Sequence, residues 1–280
     1  MKIQKNTIMK SLLLLFVSFI AFNISAQIQL EGKIIDSKTS QPQSYVNIGV
    51  IGKNIGTVSD RNGYFSLLVP EENYSDKMRI SMIGYESIEM QVNEIENLLK
   101  SNKNIDLNPS NYEIEEVVIS ATNLKSKEVG NLKPKKNIFA AFGEDKLGNE
   151  MGIVIKIKKR RTILKDVSFA LGENLNDTVR FRLNIYDMEK GKPGENLLKE
   201  NIIIETSIEK GIVKTDLSKY DIVVEDDFLL SIEWIEDYPK DTLSFGATLF
   251  NKSVWVRETS QADLVKIPIL GIGLSATILY

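Results

Sequence analysis

From Gln27 onward, short apolar runs alternate with polar residues and turn-forming stretches at intervals of roughly ten residues, the period-two pattern of half-buried strands. Ile28, Leu30 and Ile34 share one alternating face and lead into the turn-rich stretch Asp36 to Pro42. Tyr45 to Ile51 predicts a second strand, ended by Gly52. Gly56 to Ser59 and Tyr64 to Val69 predict a hairpin around Asp60-Arg61-Asn62-Gly63. Asn-Gly tolerates the positive φ of a tight turn, and the Asp60 carboxylate is placed to accept from the backbone two residues on. Pro70 ends the strand because proline donates nothing to a ladder. Met78 to Ile83, Ser87 to Val92 and Asn104 to Leu107 complete about seven strands, with a helical turn or two capped by Asn93 and running to Leu99. A small β-sandwich over residues 27–108 is the expectation.

The pattern resumes after residue 138. Ile153 to Ile157, Ile163 to Leu171 and Val179 to Tyr186 alternate clearly, the last placing Val179, Phe181, Leu183 and Ile185 on one face. Asp187 to Asn196, with Gly191, Pro193 and Gly194, reads as a loop. Further runs at 197–205, 211–215, 222–224, 228–235, 243–250, 253–257 and 267–279 give eight to ten strands without a long helix, as in a sandwich of jelly-roll type. Asp216 to Tyr220 predicts one helical turn. Residues 109–137 form a linker by composition, since 122–137 is poor in apolar residues and holds Lys125, Lys127, Lys133, Lys135 and Lys136. The expected fold class is therefore all-β, with two sandwiches in series.

Several residues of the first sandwich carry a resemblance. Gly32, Asp36, Gln41-Pro42, Val46-Asn47-Ile48, Gly56 to Asp60, Gly63-Tyr64-Phe65 and Ser81 to Tyr85 stand in the order and spacing of the carboxypeptidase regulatory-like domain. The resemblance implies a transthyretin-like seven-stranded sandwich of the bacterial envelope, a module also found at the N-terminus of TonB-dependent nutrient receptors. It implies no catalysis. Glu115 to Ala121 resembles the segment that follows this module in the receptors, where a partner binds by strand addition. The plainer expectation for Val117 to Ser120 is a strand leaving the sandwich, because a receptor barrel needs several hundred residues more.

The first residues read as a secretory leader. Lys2, Lys5 and Lys10 precede an apolar run from Leu12 to Phe22, and Ile24-Ser25-Ala26 ends in the small residue that cleavage prefers. Export to the periplasm, the outer membrane or the cell surface follows as an expectation, with no membrane span once residues 1–26 are removed. Three lysines and no acid leave with that segment, taking the net charge from −3 to about −6. An acidic exported protein is a poor partner for nucleic acid.

The 280 residues include neither His nor Cys. Usual zinc sites, a Ser-His-Asp triad, a Cys-His pair and disulfides are all excluded. No catalytic residue, cofactor or metal is assigned. Calcium is compatible with loop oxygens, but Asp60-Arg61-Asn62-Gly63 lacks the later ligands of a calcium loop and reads as a structural turn built by Asp60, Asn62 and Gly63. Acids cluster at Glu225-Asp226-Asp227 and at Glu233, Glu236, Asp237 and Asp241; a glycosidase would need two of them paired, whereas solvated strand ends are the simpler reading. Trp234, Tyr238 and Trp255 are the candidate ligand-binding residues, as rings that stack on sugar faces. The basic run Lys156 to Arg161 reads as a solvent-facing strand and turn. The C-terminal stretch Ile272 to Tyr280 resembles the last strand of an outer-membrane barrel but reads as a soluble core strand.

The function expected from these features is non-enzymatic binding or scaffolding in the envelope, with a protein or a glycan as ligand. A carbohydrate-binding accessory of a nutrient-uptake system is the alternative, and a carboxylate-dependent hydrolase comes third.

Overall fold

A computed structural model describes residues 27–110, 124–131, 133–142, 146–158, 161–239, 243–250 and 253–280. Residues 1–26, expected as a leader, and the 111–123 stretch, with Val117 to Ser120, lie outside the described residues.

The N-terminal unit has seven strands: β1 (Gln27–Asp36), β2 (Asn47–Val50), β3 (Gly56–Val58), β4 (Tyr64–Pro70), β5 (Lys77–Ser81), β6 (Ile88–Gln91) and β7 (Asn104–Leu107), with helix α1 (Val92–Ser101) between the last two. One sheet has the order β4-β1-β7 and the other β3-β2-β5-β6. The alternation read from the sequence sets the core. Leu30 and Ile34 of β1, Ile48 and Val50 of β2, Phe65, Leu67 and Val69 of β4, and Met78 and Ile80 of β5 all point between the sheets. Each such side chain contributes roughly 1.5–3 kcal/mol when removed from water. Helix α1 lays Val92, Ile95 and Leu99 into the same core and is longer than the expected turn or two. Its N-cap is Gln91, whose backbone N–H donates to Glu94 Oε2 at 2.8 Å, and not Asn93.

The Asp60–Gly63 turn forms as expected, but its flanks do not make a hairpin. β3 pairs with β2 in one sheet, whereas β4 pairs with β1 in the other. The turn therefore arches across the sandwich. Asp60 Oδ1 accepts from the backbone N–H groups of Asn62 and Tyr64, both at 2.8 Å, and Gly63 takes φ +81°. A Cβ there would also meet the Ile34 carbonyl oxygen at 2.5 Å, so local chemistry and packing both demand glycine.

The C-terminal unit starts earlier than composition suggested. β8 (Ser126–Gly130) and the first half of β9 (Lys135–Ala140) fall in the expected linker, yet both strands pair with strands of the second sandwich. An edge strand carrying lysines on its solvent side has a linker's composition, and Val129 alone reveals its buried side. Then follow β10 (Glu150–Ile155), β11 (Thr162–Asn174), β12 (Val179–Glu189), β13 (Lys192–Asn196), β14 (Ile202–Thr206), β15 (Gly211–Asp216), β16 (Val223–Val224), β17 (Phe228–Trp234), β18 (Leu243–Leu249), β19 (Val254–Arg257), β20 (Val265–Ile267), β21 (Leu270–Ile272) and β22 (Leu274–Leu279).

These strands form a seven-stranded sheet, β13-β12-β17-β10-β19-β20 with β14 beside β12, and an eight-stranded sheet, β21-β18-β11-β22-β8 with β15, β16 and β9 attached. The sequence expectation of eight to ten strands is thus exceeded. Phe169, Phe181 and Phe245 meet between the sheets with centroids 5.5–6.0 Å apart. The predicted loop at 187–196 is part of a hairpin. Glu189 faces Lys192 across a two-residue turn in which Lys190 and Gly191 both have positive φ, 49° and 80°. No helix among the described residues is long and apolar enough to cross a membrane.

Candidate functional site

Strands of the seven-stranded sheet have one apolar and one polar side. On β12, Phe181, Leu183 and Ile185 face the core while Arg180, Arg182, Asn184 and Tyr186 occupy the other face. Ser231 and Glu233 of β17, Glu150 of β10, and Trp255 and Arg257 of β19 join that second face, because the register sets Arg182 opposite Glu233, Asn184 opposite Ser231, and Glu150 opposite both Glu233 and Arg257. By composition this face belongs in water. It is instead covered in part by the N-terminal sandwich, which leaves Arg182, Glu150, Asn184 and Glu233 only 1–2% exposed.

The buried charges lie in a dense network of partners. Arg182 donates through Nε and Nη2 to the two oxygens of Glu233 at 2.8 and 2.9 Å, and reaches across the domain boundary to the Tyr45 carbonyl oxygen at 2.6 Å and Asn47 Oδ1 at 2.7 Å. Arg257 Nη2 meets Glu150 Oε2 at 2.7 Å and donates to the Tyr186 hydroxyl at 2.9 Å. Asn184 Nδ2 donates to both carboxylates, at 3.1 Å to Glu150 and 2.8 Å to Glu233, and Ser231 donates to Glu150 as well. Burial pushes both carboxyls upward. At Glu233 the charge of Arg182 and its two hydrogen bonds win and hold it below the usual range, whereas at Glu150 burial prevails over Arg257.

A second cross-domain knot holds the opening turn. Arg61 donates through Nε and Nη2 to Glu236 at 2.6 and 2.9 Å, Tyr45 donates its hydroxyl to the same carboxylate, and Arg180 lies 3.3 Å from it. Burial raises the Glu236 pKa, but the bonds from Arg61 and Tyr45 and the two guanidinium charges outweigh it and bring it down to about 2. Tyr45, Val58 and Ile235 form a small apolar cluster shared by the two domains. Thr259 Oγ1 donates to the Gly56 carbonyl oxygen at 2.8 Å, and a Cβ on Gly56 or Gly49 would strike the Ser260 carbonyl oxygen at 2.2 or 2.4 Å. Glycine at these places lets the two backbones touch.

Where the polar face passes out from under the N-terminal sandwich it floors a cleft of about 1020 Å³. Arg79 of the first domain and Asn184, Tyr186, Lys192, Trp255 and Arg257 of the second are among its walls. Tyr186 and Asn184 are held in place by the network below, so the polar groups of the floor are pre-oriented. Arg257 Nε is a buried donor with no partner among the described residues, the kind of group that calls for an acceptor.

Of the aromatic residues singled out from sequence, only Trp255 lies in this cleft. Trp234 packs edge-on against Phe142 at 5.2 Å and Tyr238 at 5.5 Å, and the Tyr238 hydroxyl serves Glu236 at 3.2 Å. Both are buried, at 5% and 8% exposure, and Trp255 is equally so at 7%, so none of the three presents an open ring face and the expected three-ring platform is not formed. Glu233 and Glu236 are likewise not solvated strand ends. Asp227 accepts from the Ile157 backbone N–H at 3.0 Å and Glu225 lies 3.8 Å from Arg161, so these acids do close turns. Asp241 falls outside the described residues. Glu150, Arg182, Asn184 and Arg257 were not legible as site residues. Their alternation is that of a solvent face, and only a long strand with two arginines flanking a core phenylalanine hinted at a second covering layer.

No curated protein matches this chain. Among solved structures, the cysteine protease and lectin-like domains of Cwp84, a surface layer associated protein of Clostridium difficile, align at 7% identity and a TM-score of 0.39 over 80% of this chain and 45% of that one. Residues 30–119 match the family model of the CarboxypepD_reg-like domain, and the N-terminal sandwich of this chain is a carboxypeptidase regulatory-like domain.

Proposed function

We propose that this chain is an exported, non-enzymatic binding protein of the bacterial envelope, and that its ligand is a glycan held in the cleft between the two domains. A carboxypeptidase regulatory-like domain fits a binding module. The observation that carries the site is the unpartnered, buried Nε of Arg257 in the floor of a wide polar cleft. A sugar hydroxyl supplies the acceptor this donor lacks, and Arg79, Tyr186 and Lys192 stand in the walls of the same cleft as further polar partners. The acids beneath, Glu150 and Glu233, are committed to arginine, asparagine and serine and are shut off from solvent, which favours binding over hydrolysis. A polypeptide is the second reading. β20 is the terminal strand of its sheet at the rim of the cleft, and an added peptide strand would use its free edge.

Calorimetric titration with fragments selected on a glycan array tests the proposal. The expected result is a saturable complex that the double variant Arg79→Ala, Lys192→Ala, at two solvent-accessible walls of the cleft, weakens by about tenfold or more, with the melting temperature held within a few degrees. Lys192→Ala, on an exposed hairpin that no core contact depends on, should weaken binding less. A protein that binds no glycan, or that binds equally well as the double variant, contradicts the reading.

A further inference from the structure

Next to the cleft, and sharing Trp255 and Lys266 with it, lies a second groove of about 790 Å³, lined by Lys127 and Glu128 of β8, Lys156 after β10, Lys266 of β20, and the turn residues Phe250 and Ile269. Three properties set it apart from the rest of the surface. Phe250 is 76% exposed and Ile269 56%, the first being the most exposed large hydrophobic side chain described. Both sit in the left-handed region, at φ +69° and +67°, and the Phe250 N–H donates to the Ile269 carbonyl oxygen at 2.7 Å, so one strained backbone contact holds two apolar side chains out at the end of the β18–β21 ladder. A β-branched residue at positive φ is uncommon, and strain of this kind persists where it serves a purpose. Finally, a chain with net charge −3 gathers three exposed lysines here, none of them in an ion pair among the described residues, while the carboxylate of Glu128 accepts from Ser275 at 3.2 Å.

We propose that this face docks on an anionic lipid surface, with Phe250 and Ile269 entering the headgroup and acyl boundary and Lys127, Lys156 and Lys266 neutralising the lipid charge. The division of labour is that of peripheral membrane proteins, in which a few apolar side chains supply insertion and neighbouring lysines supply attraction to anionic headgroups. The charge pattern favours an anionic surface, because a neutral apolar partner would not require the three lysines. The inference stands independently of the ligand of the interdomain cleft.

Co-sedimentation of the chain from Gln27 to Tyr280 with phosphatidylcholine vesicles, with and without phosphatidylglycerol, tests it; this span contains both folded domains and omits the apolar leader, which would itself bind lipid. Binding is expected only with phosphatidylglycerol, about tenfold above neutral vesicles and reduced by salt. The double variant Phe250→Gly, Ile269→Gly places glycine where φ is positive, so it folds at least as well and should lose most of the binding. Lys127→Glu with Lys156→Glu, neither of which lines the interdomain cleft, should abolish the preference for anionic vesicles. Failure of the wild-type chain to sediment with anionic vesicles, or undiminished sedimentation of the double glycine variant, overturns the proposal. Lipid-independent dimerisation that the double glycine variant abolishes would instead make this face a contact between copies, and would equally overturn it.

Discussion

Arg182→Ala is expected to destabilise the chain by about 3–5 kcal/mol and to loosen the two domains from one another. Its guanidinium is 1% exposed and bonds four acceptor atoms, two on Glu233 of its own sheet and two on the first domain, at Tyr45 and Asn47. Removing it strands a buried carboxylate, leaves the Asn47 amide oxygen without this donor, and opens a void at the centre of the boundary. The loss comes chiefly from the uncompensated charge and not from the intrinsic worth of the pair. A double change of Arg182→Met with Glu233→Met should therefore recover much of the stability, since it removes both charges and keeps the volume. Urea unfolding of the three proteins checks the order: wild type most stable, Arg182→Ala least, the double variant between. Equal destabilisation of the single and double variants would place the cost in lost shape and not in charge.

Acid should undo the other knot. The folded Glu236 carboxyl has a pKa of about 2 against an ordinary 4.5. A depressed carboxylate pKa adds stability that is present in full above the unfolded value and is lost as pH falls through the folded one, so the window runs from about pH 4.5 down to about pH 2. The shift corresponds to about 3 kcal/mol; because Arg61 is 58% exposed and its charge is screened, about 2 kcal/mol is the expected contribution. Stability measured by chemical denaturation across this window should fall more steeply for the wild type than for Glu236→Gln, which lacks the titrating group. Parallel profiles would remove Glu236 from the account. The same variant should already be less stable than wild type at neutral pH, where the wild-type carboxylate is ionised and paired.

Much of the architecture was readable because period-two alternation survives wherever one strand face meets a core. The seven strands of the first sandwich, the turn built by Asp60, Asn62 and Gly63, and most strands of the second were legible on those grounds. Pairing was not. The sequence around Asp60 specifies a turn but says nothing of which sheet each flank joins, and β3 and β4 separate because their partners, β2 and β1, lie in different layers. β8 escaped notice because the edge of a sheet looks polar from composition alone, and β13 because Gly and Pro in a hairpin arm look like loop. The polar face of β12 and β17 misled in the same way. An Arg, Asn and Tyr face is what water would cover in a lone domain, and nothing local reveals that a second domain covers it. Glu233 was noticed as an acid, yet its partner Arg182 lies 51 residues away in the chain, and Arg61 reaches Glu236 across 175. Such long-range pairs fix the site while leaving no short motif.

The account rests on the two sandwiches behaving as one body around a buried ionic boundary. Differential scanning calorimetry of the chain from Gln27 to Tyr280 at neutral pH tests this most directly. One cooperative transition is predicted, with calorimetric and van't Hoff enthalpies in agreement, and it should split or broaden in Arg182→Ala. Two independent transitions in the wild-type protein would show domains that unfold without reference to each other and would contradict the account.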